Sequence, residues 1–272
     1  MKIIIVYVMK IHDQHVHSYY SFDSEQSIEE YLDKSEQLGL SYFVLTDHCD
    51  LNYLEQNKDI FFDIDKQFSE LEQLQKKHPN IKILKGIEIG YKPNEISRIN
   101  KIIKNHLFDL INFSLHESDR IDYYFVDEFK KRGIDETLTL YFKRELEAIK
   151  SFNDYDVFCH LDYGFKTAYQ ADSTLSIKKY EQSLIEIMKV LIKNEKALEI
   201  NIKVQDVLPV EHTKYILSLY KSLGGKYLTL SSDAHELDKF YLNFDKYILL
   251  IKEVGFDSLT YYINRKKYLY NL

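Results

Sequence analysis

The chain reads as seven βα units in series, and this alternation of short apolar strands with amphipathic helices confines it to an α/β fold with a largely parallel sheet. The strands fall at residues 4–14, 42–46, 81–89, 107–115, 157–159, 197–201 and 227–232. Ser27 stands as the N-cap of a helix that places Ile28, Tyr31, Leu32 and Leu38 on one face before Gly39 stops it. A second helix carries Ile64, Phe68, Leu71 and Leu74; others span 135–152, 177–194 and 210–223, the last closed by Gly224-Gly225. A helix at 244–254 and a segment at 259–270 finish the chain. With three prolines and eight glycines, none gathered into a linker, residues 1–272 form one continuous domain. Residues 1–8, which precede Met9, read as an extension of the first strand or a product of start-site choice.

In folds built from such units the loops at the carboxyl ends of the strands form the active site. Six of the seven strand ends here carry His, Asp or Glu. In His15-Val16-His17 the alternation of side chains along an extended segment turns both imidazoles to one side, where they can grip one ion. Glu88 lies among apolar neighbours, a costly place for a carboxylate unless it is paired or bound to a cation. The candidate ligands are His15, His17, Asp23, His48, Glu88, His116, His160, Asp233 and His235. Nine nitrogen and oxygen donors exceed what one ion needs, so two or three metals with Glu88 as a bridge are expected. Cys49 and Cys159 each adjoin a ligand in sequence, which in an extended segment aims them to the opposite face as packing residues. His12, His78, His106 and His212 are expected to be structural or surface residues, and Asp47 and Asp162 either orient a neighbouring imidazole or cap a loop.

The net charge of -7, without a long Lys/Arg run, argues against a nucleic-acid partner held through phosphate neutralisation. The apolar run at residues 3–9 is too short to span a bilayer and has no export-cleavage signal after it, so no membrane partner is expected. Two cysteines do not make a disulfide framework, and a reducing cytoplasm is the expected location. Composition leaves the oligomeric state open.

The motifs Asp13-Gln14-His15-Val16-His17-Ser18, Phe22-Asp23-Ser24, Thr46-Asp47-His48, Gly86-Ile87-Glu88, Ser114-Leu115-His116, Cys159-His160-Leu161-Asp162 and Ser231-Ser232-Asp233-Ala234-His235 resemble, in order, those of the PHP (polymerase and histidinol phosphatase) superfamily. The resemblance implies a distorted (β/α)7 barrel with a trinuclear centre of zinc, manganese or iron. It implies that His15, His17, Glu88 and Asp233 hold one metal, Glu88, His116 and His160 a second, and Asp23, His48 and His235 a third. A hydroxide held between two such cations is nucleophilic at neutral pH, while the cations neutralise the oxygens of a phosphate placed for in-line displacement. Asp233 is the candidate for orienting that hydroxide, and His235 and Asp47 are candidates for protonating the leaving alkoxide.

The phrase Tyr20-Ser21-Phe22-Asp23-Ser24-Glu25 resembles the histidinol-phosphate phosphatase branch of the superfamily, whose reaction belongs to histidine biosynthesis. Two features depart from that branch. Where it commonly has arginine after the fifth strand motif, this chain has Leu161-Asp162-Tyr163-Gly164-Phe165-Lys166. Where a Thr-Ser-Gly-like turn leads to arginine after Glu199-Ile200-Asn201, it has Ile202-Lys203-Val204-Gln205. Arg120, Lys166 and Lys203 are the candidate phosphate contacts, although lysine does not reproduce the planar fork of arginine. The expected function is that of a metal-dependent phosphomonoesterase acting on a small phosphorylated substrate, with L-histidinol phosphate first and another small phosphate or nucleotide as the alternative. A metal-dependent amidohydrolase and a non-catalytic binding module rank below both.

Overall fold

The computed structural model describes residues 12–54 and 58–272. The expected extension at residues 1–8, and most of the expected first strand, lie outside the described residues. In chain order, α1 (Ile28–Leu38) leads to β1 (Tyr42–Leu45), β2 (His48–Tyr53) and β3 (Lys58–Phe61), α2 (Ile64–Lys77) to β4 (Lys82–Gly90), and α3 (Ile96–Asn105) to β5 (Leu110–Ser114). A small hairpin of β6 (Glu117–Ser118) and β7 (Ile121–Asp122), then α4 (Val126–Arg132) and α5 (Ile134–Ser151), precede β8 (Val157–Phe158). The second half runs through α6 (Tyr163–Ala171), α7 (Glu181–Lys193), β9 (Ala197–Asn201), α8 (Ile202–Gln205), α9 (Val210–Ser222) and β10 (Leu228–Ser231). It ends with α10 (Phe244–Val254) and the hairpin β11 (Ser258–Ile263) and β12 (Lys266–Asn271).

Eight strands make one sheet in the order β10-β9-β8-β5-β4-β2-β3, with β1 also paired to β4. All pairings in it are parallel except β2 with β3. The α/β class and the parallel sheet therefore match the alternation in the sequence. Gly39, with φ of 70°, ends α1 in the left-handed conformation that glycine tolerates. Ser27 occupies the N-cap position but its side chain makes no capping bond, whereas Asp63 caps α2 by accepting from Lys66 N–H at 3.0 Å. Asn264 and Arg265, at φ of 51° and 61°, form the tight turn that suits the twist of the β11–β12 hairpin.

Three expectations change. The second strand does not stop before His48: β1 and β2 both lie along β4, interrupted only at Thr46-Asp47, so His48 opens a strand. The hairpin β6–β7 has two residues per strand, too few for a period of two to register in the sequence. Residues 13–17 form no regular strand in the described part and make one isolated parallel bridge, Val16 with Ala234. Three backbone bonds fix that segment: Asp233 N–H to His15 O at 2.9 Å, His17 N–H to Ala234 O at 2.8 Å and Thr46 N–H to Val16 O at 2.9 Å. The Asp13 carboxylate adds contacts to His15 N–H at 3.2 Å and Ser232 N–H at 2.9 Å. The first histidine pair is thus held between the ends of β10 and β1.

Phe113, Phe158, Leu198 and Leu230 are fully buried in the strands beneath this end of the sheet. Each such side chain contributes about 1.5–3 kcal/mol on burial, and together they give the polar cluster above them a rigid floor. Among the described residues, no helix is long and apolar enough to cross a membrane.

Candidate metal centre

Sheet register brings the donors together. His48 lies directly opposite Glu88 in the β2–β4 pairing, and Glu88 opposite Asn112 in β4–β5, so residues from three neighbouring strands share one side. His116 follows β5, His160 follows β8, and Asp233 and His235 follow β10. His160 and Asp233 adopt φ of 27° and 54°. Positive φ is uncommon for residues other than glycine and gathers at functional sites.

Glu88 is the centre of the cluster. Its Oε1 lies 3.1 Å from His116 Nε2 and 2.9 Å from His160 Nε2. Its Oε2 lies 3.2 Å from His15 Nε2, 3.5 Å from His17 Nε2 and 2.9 Å from His48 Nδ1. Burial by itself would push this carboxyl up, but the charges of His15, His116 and His48 overcome it and hold Glu88 well below the usual carboxylate range.

Four donors face one point: His15 Nε2, His17 Nε2, Glu88 Oε2 and Asp233 Oδ1. Their separations include 3.2, 3.5, 3.2 and 3.8 Å. Tetrahedral ligands about 2.0–2.1 Å from a cation stand about 3.3–3.4 Å apart, so the spacing fits. Glu88 Oε1, His116 and His160 form a second group. In a third, Asp23 Oδ2 is 3.1 Å from His235 Nε2 and Asp23 Oδ1 is 3.6 Å from His48 Nε2. All nine residues singled out in the sequence meet in this cluster.

Several of the facing atoms are orphans. His15 Nε2, His17 Nε2, His48 Nδ1, Glu88 Oε2 and His235 Nε2 are buried without a hydrogen bond. Buried polar atoms left unpaired are costly, and a cluster of five aimed at one another is the arrangement that cations satisfy. The opposite nitrogens are held instead: His15 Nδ1 by Glu199 Oε1 at 2.8 Å, His17 Nδ1 by Ser21 Oγ at 3.0 Å and His116 Nδ1 by Asp50 Oδ1 at 2.7 Å. Such partners orient each ring with Nε2 toward the cluster and, in the neutral imidazole that a metal would take, keep the proton on Nδ1.

Two of these partners escaped the sequence reading. Glu199, in the strand that carried no candidate ligand, also accepts from His160 N–H at 2.8 Å and so supports two ligands at once. Its signal was the same as that of Glu88, a carboxylate inside an apolar strand. Asp50 stands two residues after His48 on β2, the spacing that returns a side chain to the same face. Gly90 makes room for it, since a β-carbon there would overlap Asp50 Oδ1 and press on His116 Nδ1.

Replacing Glu199 by Gln is expected to weaken metal affinity about 10–100-fold, the usual effect of losing an orienting partner. Titrating chelated protein with Zn²⁺ by calorimetry checks this. Wild-type affinity in Glu199→Gln would mean that the carboxylate orients nothing.

Other expectations are corrected. Asp47 does not line the cavity beside the cluster. Its Oδ1 accepts from Ser18 N–H and Ser21 Oγ at 2.7 Å each, and its Oδ2 from Ser18 Oγ at 2.8 Å and Gln67 Nε2 at 2.7 Å. With every lone pair occupied it anchors Ser21, and through Ser21 His17, and has no reach to a leaving group. Cys159 packs, as expected, in an apolar cluster with Val157, two residues before it and on the same face, and it also touches the back of the donor cluster. Its sulfur lies within 4.8 Å of ligand atoms of His15 and Glu199, and burial pushes the thiol well above its ordinary range. Cys49 packs in the apolar core as expected.

The cavity over the cluster has a volume of about 390 Å³, within the range of small-molecule sites. Lys166 and Lys203 both line it, whereas Arg120, exposed in the turn between β6 and β7, does not. Lys203 Nζ is 3.0 Å from His235 Nδ1 and 3.7 Å from Asp233 Oδ1. Lys166 Nζ sits 4.3 Å from the centre of the Tyr163 ring, and burial, then the charge of Lys203, bring it down to about 8.

A PHP domain family model matches residues 13–203. The chain is 32% identical over 261 residues to the histidinol-phosphatase of Lactococcus lactis subsp. lactis (strain IL1403), covering 95% of this chain and 96% of that one. It is 33% identical over 236 residues to a probable histidinol-phosphatase of Clostridium acetobutylicum (strain ATCC 824), covering 86% of this chain and 90% of that one. Its fold superimposes with a TM-score of 0.82 and 28% identity on the crystal structure of the Lactococcus lactis histidinol phosphate phosphatase complexed with zinc, L-histidinol and phosphate. That match covers 96% of this chain and 99% of the other.

Proposed function

The chain belongs to the PHP domain family, and from that membership and the geometry of its site we propose that it hydrolyses L-histidinol phosphate to L-histidinol and phosphate as a metal-dependent phosphomonoesterase. The observation that carries this reading is the cluster of nine converging donors around Glu88, beside a small cavity that two lysines enter. Divalent cations held by these donors would lower the pKa of bound water and neutralise phosphate oxygens during in-line displacement.

We assign three cations. His15, His17, Glu88 and Asp233 take the first, Glu88, His116 and His160 the second, and Asp23, His48 and His235 the third. The donor set of imidazole and carboxylate suits zinc, manganese and iron alike. Asp233, whose Oδ2 accepts from Asn201 Nδ2 at 3.2 Å, keeps Oδ1 toward the cluster and orients the attacking water. Lys166 and Lys203 face the cavity as the cations that bind the substrate phosphate. His235, with Nδ1 beside Lys203, couples the third donor group to that phosphate site.

The segment at 13–17, bonded to the ends of β10 and β1, is the seam through which we close the sheet into a distorted (β/α)7 barrel, one domain over the whole chain. A cytoplasmic setting suits two buried free thiols.

Protein reconstituted with Zn²⁺ or Mn²⁺ is expected to release phosphate from L-histidinol phosphate, to lose the activity on chelation and to recover it on readdition of metal. The measurement is colorimetric phosphate release. Undiminished turnover in protein shown by elemental analysis to be metal-free would sink the mechanism.

A further inference from the structure

The donor cluster forms one wall of the cavity, and aromatic side chains form a second that adjoins it, the Phe22 ring lying 5.5 Å from that of His48. Phe22, Tyr124 and Phe125 line the cavity with 63, 60 and 53% of their surfaces exposed, a group of large rings gathered at one opening. Tyr163 joins the two walls, its ring 5.1 Å from that of His160 and beneath the ammonium of Lys166. Within this aromatic wall lies one carboxylate, Asp122, at the end of β7.

Asp122 is only 6% exposed, yet its described partners are neutral. Tyr53 Oη–H donates to Oδ2, and Tyr124 N–H donates to Oδ1 at 2.9 Å. Among the described residues no cationic side chain pairs with it. For a buried carboxylate that lines a cavity and is held by two neutral donors, the group that completes it is a cation from outside. Of the two lysines of the cavity, Lys203 lies beside Asp233 and His235, and Lys166 stands over the Tyr163 ring and 5.9 Å from the centre of the Tyr124 ring without an ion pair to Asp122.

We infer that Asp122 is the specificity residue for the leaving alcohol, accepting a primary ammonium group while the Tyr124, Phe125 and Phe22 rings cover an adjoining flat ring. This deepens the proposed function and rests on it: L-histidinol carries an ammonium group and an imidazole on the alcohol that leaves. The same carboxylate works against substrates whose leaving portion is anionic, because like charges inside a half-enclosed cavity repel with little screening. The presence of Lys166 and Lys203 together with Asp122 in one cavity therefore selects a dipolar monoester, anionic at the phosphate and cationic at the alcohol.

The test compares kcat/KM for two pairs of esters: L-histidinol phosphate with its deaminated analogue, 3-(imidazol-4-yl)propyl phosphate, and phosphoethanolamine with ethyl phosphate. In unmodified protein the amine-bearing member of at least one pair is expected to be favoured more than tenfold. In Asp122→Asn that ratio is expected to fall at least tenfold, since asparagine keeps an oxygen for Tyr124 N–H but loses the charge. A wild-type ratio near one in both pairs, or an unchanged ratio in Asp122→Asn, overturns the inference. The wild-type comparison needs no variant and decides the matter if Asp122→Asn fails to fold. Failure to turn over L-histidinol phosphate, with amine preference retained in the second pair and lost in Asp122→Asn, would overturn the proposed function and leave the role of Asp122 supported.

Discussion

Glu88→Gln is expected to lower kcat/KM for L-histidinol phosphate at least about a thousandfold, three tenfold steps or roughly 4 kcal/mol of transition-state stabilisation, as suits a change that disrupts a metal site. The substitution changes almost no volume and exchanges a carboxylate for an amide. The two Glu88 oxygens meet imidazole nitrogens of five histidines at 2.9–3.5 Å. An amide offers one neutral oxygen to one side of the cluster and turns an NH₂ group toward the other, where unprotonated Nε2 atoms are prepared for a cation. Two of the three donor groups therefore lose their shared anion together. Elemental analysis of the purified variant is expected to show the deficit directly, with the Asp23, His48 and His235 group least affected because Glu88 is not among its members. Full metal content with activity within tenfold of wild type would remove Glu88 from its bridging place.

The sequence marked this residue because a carboxylate in the middle of an apolar strand needs a reason, and the same argument applied to Glu199 would have found the support beneath His15 and His160. Glu199 stands two residues before the end of β9, as Glu88 does in β4. Asp47 failed for a geometric cause. Adjacent residues on an extended segment point to opposite faces, so with His48 turned to the donor cluster it is Asp50, not Asp47, that stands beside it. The convergence of the donors was legible because several of them, His116, His160, Asp233 and His235, follow strands whose positions the apolar runs betray. Backbone departures were not legible: the break at Thr46-Asp47 and the left-handed His160 and Asp233 are held by hydrogen bonds to segments distant in sequence, such as Thr46 N–H to Val16 O, His160 N–H to Glu199 and Asp233 N–H to His15 O. The cavity's second wall was likewise hidden, since the hairpin that brings Asp122 and Tyr124 to the site has strands too short to show a period.

The phosphate end of the cavity has the second large expected effect. Removing both lysines, as Lys166→Met with Lys203→Met, is expected to raise KM for L-histidinol phosphate about a hundredfold or more, since a hydrogen bond to a charged group contributes about 1.5–3 kcal/mol and each 1.4 kcal/mol is tenfold. The two lysines are not equivalent, and pH separates them. Burial, and then the charge of Lys203, bring Lys166 down to about 8. Below that pH its ammonium is present to meet the phosphate dianion; above it the charge is gone. In unmodified protein kcat/KM is therefore expected to fall as pH rises through about 8, and Lys166→Met to lack that limb while starting from a lower plateau. Lys166→Arg should keep the plateau nearer to wild type and carry the limb out of range, because guanidinium stays charged throughout. Lys203→Met should move the limb to higher pH, because it removes the second cause of the depression and leaves burial. Steady-state profiles between pH 6 and 10 on the metal-loaded proteins, all compared at equal metal content, check the set. Persistence of an unshifted limb in Lys166→Met would assign the titration to another group and take Lys166 out of phosphate binding.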